Sequence, residues 1–189
     1  MIQNIPNNIR FLILDDIASI RATLKSQLEK MGQIFPPVEA ETVESALKIL
    51  ESTQGTQKSI QFILSDWNLP DDTGLSFLKK VRSNNTLSKV PFLMITTEDS
   101  IGNMIDAVNA GATNYMVKPW EYDDFVLKVQ GCWSLVNKTP SAPNSASIPA
   151  SAPTLPSAQA KKPVPFNVPK LENKENNTKK GFFSRLFGK

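Results

Sequence analysis

At 189 residues, with 21 Lys/Arg against 18 Asp/Glu and no histidine, the chain has room for one ordinary domain plus an extension, but not for two full domains. The missing histidine removes the commonest general base, transition-metal ligand and phosphohistidine carrier, which sets aside Ser-His-Asp chemistry and zinc sites. A single cysteine, Cys132, allows no intramolecular disulfide and no CxxC pair, as suits a reducing cytoplasm.

Residues 1–10 hold Asn, Gln and Pro rather than a basic cluster followed by an apolar run. No stretch approaches the roughly 18 apolar residues of a membrane span, so a cytoplasmic protein is expected, neither exported by that route nor membrane-spanning. The first apolar run, residues 11–14, predicts a strand and ends on Asp15-Asp16. Ile17, Ile20, Leu24, Leu28 and Met31 then recur at helical spacing. Residues 38–40 predict a second strand, and Val43, Ala46, Leu47 and Leu50 a second helix. A loop lengthened by residues 54–59 leads into a third strand at 60–64, which runs on to Asp66, Trp67 and Asn68. Leu75, Leu78 and Val81 mark the third helix, and residues 92–95 a fourth strand closing on Thr96 and Thr97. Ile101, Ile105 and Val108 mark the fourth helix, residues 113–117 a fifth strand before Lys118-Pro119, and Phe125, Val129 and Trp133 the last helix, with Cys132 as a small core residue. Strands alternating with helices at this pitch predict an α/β, doubly wound parallel sheet covered on both faces.

Beyond this domain, expected over residues 8–137, eight of the fourteen prolines fall between Pro140 and Pro169 among Ser, Ala and Thr. Residues 138–178 therefore read as a Pro/Ala/Ser-rich disordered linker, which buries too little apolar surface to offset its ordering entropy. Charge is divided unevenly: residues 1–137 carry 12 basic against 16 acidic side chains, residues 138–189 carry 9 against 2. The basic part favours an anionic membrane, nucleic acid or an acidic protein face.

In a doubly wound sheet, ligands bind at the carboxyl ends of the strands. Asp15, Asp16, Asp66, Thr96 and Lys118 all fall at such ends, so four separated segments converge on one site. Three gathered carboxylates repel one another and raise each other's pKa unless a hard divalent cation such as Mg²⁺ neutralises them. A carboxylate nucleophile with a cation, an ammonium and a hydroxyl around it suits phosphoryl transfer, which needs little beyond positioning and charge neutralisation.

The strings Ile-Leu-Asp-Asp (13–16), Leu-Ser-Asp-Trp-Asn-Leu-Pro (64–70), Met-Ile-Thr-Thr-Glu (94–98) and Gly-Ala-Thr-Asn-Tyr-Met-Val-Lys-Pro (111–119) resemble the response-regulator receiver family, and within it the chemotaxis regulators of the CheY type. The resemblance spans residues 9–135. It implies a flavodoxin-like, five-stranded parallel sheet with five helices. It further implies that Asp66 is the phosphoacceptor of a two-component phosphorelay, with a histidine kinase or small phosphodonor upstream and a protein target downstream. Asp16, Asp66 and the backbone carbonyl of Asn68 would bind Mg²⁺, with Asp15 assisting through water. Lys118 would pair with the phosphoryl oxygens, while Thr96 moves its hydroxyl toward them and Tyr115 rotates inward. The surface around the fourth helix, fourth loop and fifth strand would be the readout. Asn68 and Glu98 would orient the hydrolytic water and make the phosphoryl state short-lived. Such a chain hydrolyses its own aspartyl phosphate without being a conventional enzyme. It departs from the family pattern at Thr73, where an acidic residue is common, at Thr97, often alanine, and in the loop 54–59.

Taken singly, each feature has a plainer reading. Asp15-Asp16 is a natural N-cap pair, Asp66 a loop residue, Thr96 a strand-end hydroxyl and Lys118-Pro119 a turn. Their order together is what selects the site. At the far end, residues 179–189 form a basic amphipathic segment: a helix there would place Phe182, Phe183, Leu186 and Phe187 within about 140° of arc. The segment resembles the terminal membrane-targeting helices of bacterial peripheral proteins, and suggests contact with the inner face of the membrane or with a protein groove.

Two rivals remain at this level. A transcription regulator is disfavoured because residues 138–189 lack the length and periodicity of a helix-turn-helix, and nucleic acid is correspondingly not expected as a partner. A phosphorylation-independent scaffold with the same fold is disfavoured by the intact Asp16, Asp66, Thr96 and Lys118 set. A flavin-binding or aspartyl-phosphatase enzyme fits less well, since Asp15-Asp16 would repel a phosphate after the first strand and no Asp-x-Asp occurs there.

Overall fold

Runs of three to five apolar residues are too short to bury themselves as helices, and in the computed structural model they lie side by side as parallel strands. The structure describes residues 5–97 and 99–137. In chain order the elements are β1 (Phe11–Leu14), α1 (Ala18–Lys30), β2 (Val38–Ala40), α2 (Val43–Thr53), β3 (Phe62–Ser65), α3 (Gly74–Ser83), β4 (Phe92–Thr96), α4 (Ile101–Asn109), β5 (Asn114–Val117) and α5 (Tyr122–Val136). The sheet order is β2-β1-β3-β4-β5, all parallel, so the strand order reverses beside β1. This is the α/β doubly wound architecture the strand and helix spacing predicts.

Successive strand residues face opposite sides, and the three central strands are buried on both. Leu12, Leu14, Ile63, Phe92 and Met94 pack on one face against α2, α3 and Ala107 of α4, with Phe77, Leu78 and Val81 coming from α3. Phe11, Ile13, Phe62, Leu64, Leu93 and Ile95 pack on the other against Leu24 and Leu28 of α1 and Phe125, Val129 and Cys132 of α5. Burial pushes the Cys132 thiol up to about 12, which leaves it an inert core residue.

Three expectations shift in detail. β3 begins at Phe62 rather than 60, because Gln61 and Phe62 both donate their N–H to the Arg10 carbonyl as the strand enters the sheet; Ile60 is buried beside the ladder without joining it. β5 begins at Asn114, since the Thr113 hydroxyl accepts the Phe92 N–H at 3.0 Å where a strand carbonyl would otherwise serve. Ile17 caps α1 with half its surface exposed, and the inward face of the helix runs instead through Arg21, Leu24 and Leu28. The fourth helix forms where its spacing predicts, with Ile101, Ile105 and Val108 facing solvent and Ala107 alone in α4 buried. No described helix is long and apolar enough to cross a membrane.

Candidate functional site

The carboxyl ends of β1, β3, β4 and β5 meet at one end of the sheet, and the backbone there is fastened before any side chain acts. The Asp15 N–H donates to the Ala40 carbonyl at 3.1 Å, the Asp66 N–H to the Leu14 carbonyl at 2.7 Å, and the Lys118 N–H to the Thr96 carbonyl at 2.7 Å. Each bond extends the parallel ladder one step past its strand. The residues that follow the strands are thereby held in register with one another.

On this frame Lys118 reaches between two carboxylates. Its Nζ donates to Asp15 Oδ2 at 2.7 Å and to Asp66 Oδ2 at 2.8 Å, with all three side chains under a tenth exposed. The remaining oxygens are used as well: Asp15 Oδ1 accepts the Ile17 N–H at 2.8 Å, and Asp66 Oδ1 accepts the Trp67 N–H at 2.7 Å. Asp15 is therefore not an N-cap of α1. It fastens the loop ahead of the helix, whose N-cap, Ile17, makes no side-chain bond.

Asp16 completes the group from the exposed side. One carboxylate oxygen from each of Asp15, Asp16 and Asp66 lies within 4.8 Å of the others. Three carboxylates stand against one ammonium, which leaves negative charge facing solvent at Asp16, and an all-oxygen donor set suits a hard cation such as Mg²⁺. The residues present fit that ion.

Burial is the first cause of the Asp66 carboxyl's raised pKa. The hydrogen bond and charge of Lys118 pull against it, and Asp15 adds a smaller push upward. Crowding of like charges, the cause expected from the sequence, is thus secondary. Burial also works to lower the Lys118 pKa, but hydrogen bonds and charges from Asp15 and Asp66 outweigh it and raise the ammonium above its ordinary value.

The other singled-out residues take their places around this centre. Thr96 ends β4 fully buried. Tyr115, opposite Met94 in the β4–β5 register, is already inside the core face shared with α2 and α3. Asn68 is exposed on the loop after β3 and bridges to Thr73. Thr73 serves as N-cap of α3, its side chain accepting the Ser76 N–H, so the absent acidic residue leaves the helix capped. Trp67 is half-buried beside Asp66. Glu98 and the terminal Phe182, Phe183, Leu186 and Phe187 lie outside the described residues, as do the stretches 138–178 and 179–189.

Sequence reasoning passes over two supports of the same loop. Asp71 accepts the N–H groups of Val43 at 2.9 Å and Glu44 at 3.0 Å, tying the segment after Asp66 to the start of α2. Gly74 donates its N–H to the Trp67 carbonyl at 2.7 Å and lies against the Asp66 backbone. Only the fold brings these partners together; an Asp and a Gly in a polar loop carry no such signal.

Comparison with known proteins identifies the family and the fold. The response regulator receiver domain matches residues 11–130. The chemotaxis protein CheY1 of Helicobacter pylori strain J99 is 35% identical over 111 residues, 59% of this chain and 86% of that protein. The chemotaxis protein CheY of Pseudomonas aeruginosa is 32% identical over 128 residues, 68% of this chain and 98% of its own. Among solved structures, the Vibrio cholerae chemotaxis protein CheY4 superposes with a TM-score of 0.56 at 30% identity, covering 65% of this chain and 97% of that one.

Proposed function

Because the chain belongs to the response-regulator receiver family, we propose that its domain, residues 8–137, is a phosphorylation-activated switch of a chemotaxis-type two-component relay, with Asp66 as phosphoacceptor. The observation that carries this reading is the Lys118 ammonium placed between the buried carboxylates of Asp15 and Asp66, with Asp16 on the open side.

The reaction follows from that arrangement. An Asp66 carboxylate oxygen attacks the phosphorus of a phosphohistidine on a partner kinase, or of a small acyl phosphate. The O–P bond forms as the bond from phosphorus to the leaving nitrogen or oxygen breaks, and the leaving group takes its proton from water if it needs one. Lys118 is released from Asp66 Oδ2 to pair with a phosphoryl oxygen, and its bond to Asp15 keeps it oriented meanwhile. Asp16, Asp66 and the Asn68 carbonyl, with Asp15 through water, would hold Mg²⁺, which supplies charge neutralisation for the incoming phosphoryl oxygens. Asn68 and Glu98 are proposed to position the water that later hydrolyses the acyl phosphate.

The new group carries about two negative charges, enough to bias a two-state loop. Thr96 is the proposed mover, and Tyr115, already buried in this structure, would be held inward by the change rather than rotate in. Their output would be read at α4, whose Ile101, Met104, Ile105 and Val108 are exposed on one helical face, for a downstream protein to cover. The segment 179–189 is proposed to localise the domain through Phe182, Phe183, Leu186 and Phe187, at the inner membrane face or in a protein groove.

Trp67 fluorescence tests the switch: the chain is titrated with beryllofluoride or an acyl phosphate, with and without Mg²⁺, beside Asp66→Asn. A saturable, Mg²⁺-dependent change absent from the variant is expected. No change, together with no phosphorylated species on phosphate-sensitive gels, would leave the phosphorylation-independent scaffold as the better reading.

A further inference from the structure

Arg21 has no part in the chemistry described so far, yet it is a charged residue that the fold buries. It stands on the inward face of α1 in line with Leu24 and Leu28, where an apolar side chain would pack without desolvating a guanidinium. Its donors are spent in three directions. Nη1 donates to the Asp15 carbonyl at 2.9 Å, Nε to Glu39 at 3.1 Å, and Nη2 to Glu41 at 2.6 Å. The acceptors belong to the loop after β1, to β2 itself and to the loop after β2.

The Asp15 carbonyl belongs to the peptide group that joins Asp15 to Asp16. Fixing its direction fixes the plane of that peptide, and with it the point from which the Asp16 side chain departs. Asp15 needs little such help, because its N–H and both carboxylate oxygens are already held by Ala40, Ile17 and Lys118. Asp16 is exposed, and its carboxylate has no hydrogen bond or ion pair among the described residues. Its place in the cluster is therefore set through the backbone.

We propose that Arg21 is a positioning residue for the cation site: by clamping the Asp15 carbonyl against Glu39 and Glu41 it holds Asp16 where a divalent cation can be shared with Asp15 and Asp66. The inference rests on the Mg²⁺ site of the proposed function. A planar fork with fixed donor directions suits this task, whereas an ammonium would supply charge without direction.

The experiment is a Mg²⁺ titration of the full chain followed by Trp67 fluorescence, without phosphodonor, for the native protein, Arg21→Met and Arg21→Lys, with urea unfolding of each. Arg21→Met is expected to raise the Mg²⁺ dissociation constant about tenfold, the size of effect typical of residues that orient metal ligands. The sign is informative. Removing a cation near the site would by charge alone tighten Mg²⁺ binding, so weaker binding reports lost geometry. At saturating Mg²⁺ the rate of phosphorylation should return toward the native value. Arg21→Lys, which keeps the charge and answers the question should Arg21→Met not fold, is also expected to bind Mg²⁺ more weakly than the native chain. Native-like Mg²⁺ affinity in folded Arg21→Met or Arg21→Lys, with only the unfolding midpoint lowered, would overturn the assignment while leaving the proposed function standing. A native chain with no Mg²⁺ response overturns both.

Discussion

A Cβ added to Gly74 would fall against the backbone carbonyl oxygen of Asp66, far inside van der Waals contact. The first turn of α3 thus rests on the peptide that carries the proposed phosphoacceptor, and the N–H of Gly74 donates to the next carbonyl, that of Trp67, at 2.7 Å. Gly74 is not among the glycines with positive φ, so the requirement is for space and not for backbone freedom. Gly74→Ala must displace either the helix or the Asp66–Trp67 peptide. The expected result is a loss of about 2 kcal/mol, the range for overpacking a rigid contact, with a weakened Trp67 response to beryllofluoride. Urea unfolding and the fluorescence titration check the two effects separately.

Among the described residues Lys118 is the one counter-charge shared by two buried carboxylates, so its removal should be felt most where both are ionised. In the native protein the Asp66 pKa is raised, above all by burial. A carboxyl whose folded pKa exceeds its unfolded value brings a penalty that is absent below the unfolded value and grows as pH rises through the folded one. Lys118 has a raised pKa too, so its contribution is fully present below 10.5 and is lost only as pH rises through the folded value. Lys118→Met leaves Asp15 and Asp66 without a counter-charge, and without added Mg²⁺ should cost about 3 kcal/mol at neutral pH. The deficit should shrink as the pH is lowered and Asp66 takes up a proton. Urea unfolding at neutral and mildly acidic pH measures this; a deficit independent of pH would assign Lys118 to packing alone.

Asp16 makes the opposite prediction, because its exposed carboxylate makes no hydrogen bond or ion pair among the described residues. Asp16→Asn keeps the shape and removes one of the three clustered negative charges. Stability without Mg²⁺ should change by no more than about 0.5 kcal/mol, the usual range for an exposed substitution. The Mg²⁺ midpoint seen by Trp67 should rise steeply, and acyl-phosphate labelling at limiting Mg²⁺ should fall. Thermal unfolding with and without the ion compares the two.

What could be read in the sequence follows from how local each signal is. Central strands buried on both faces must be continuous apolar strings, so segments such as FLIL and FLMIT declare themselves. The site was legible because a doubly wound sheet collects its strand ends, and four ordered motifs sit at those ends. Arg21 was not: its acceptors lie 6, 18 and 20 residues away, and an arginine in an apolar helix pattern reads as surface until the topology brings β2 beside it. Gly74 escaped for the same reason, its constraint being an atom of Asp66. The direction of α4 escaped for another: periodicity reports an apolar stripe but not which side is covered.

That stripe yields the last prediction. Ile101, Met104, Ile105 and Val108 recur at spacings of three and four residues and are 75%, 40%, 52% and 56% exposed. Apolar side chains this exposed contribute little to folding, so the pattern is unexplained by the domain's own core. Ile105→Ser with Val108→Ser should therefore change stability by less than about 0.5 kcal/mol. Leu78→Ala, at a fully buried position on α3, should cost about 3 kcal/mol. Urea unfolding of the two proteins side by side decides whether α4 belongs to the core or to the surface. Should the serine variant also keep its Mg²⁺ and beryllofluoride responses while losing affinity for the downstream protein, chemistry and output would be assigned to separate parts of the domain. An unfolded serine variant would instead place α4 among the elements that hold the domain together.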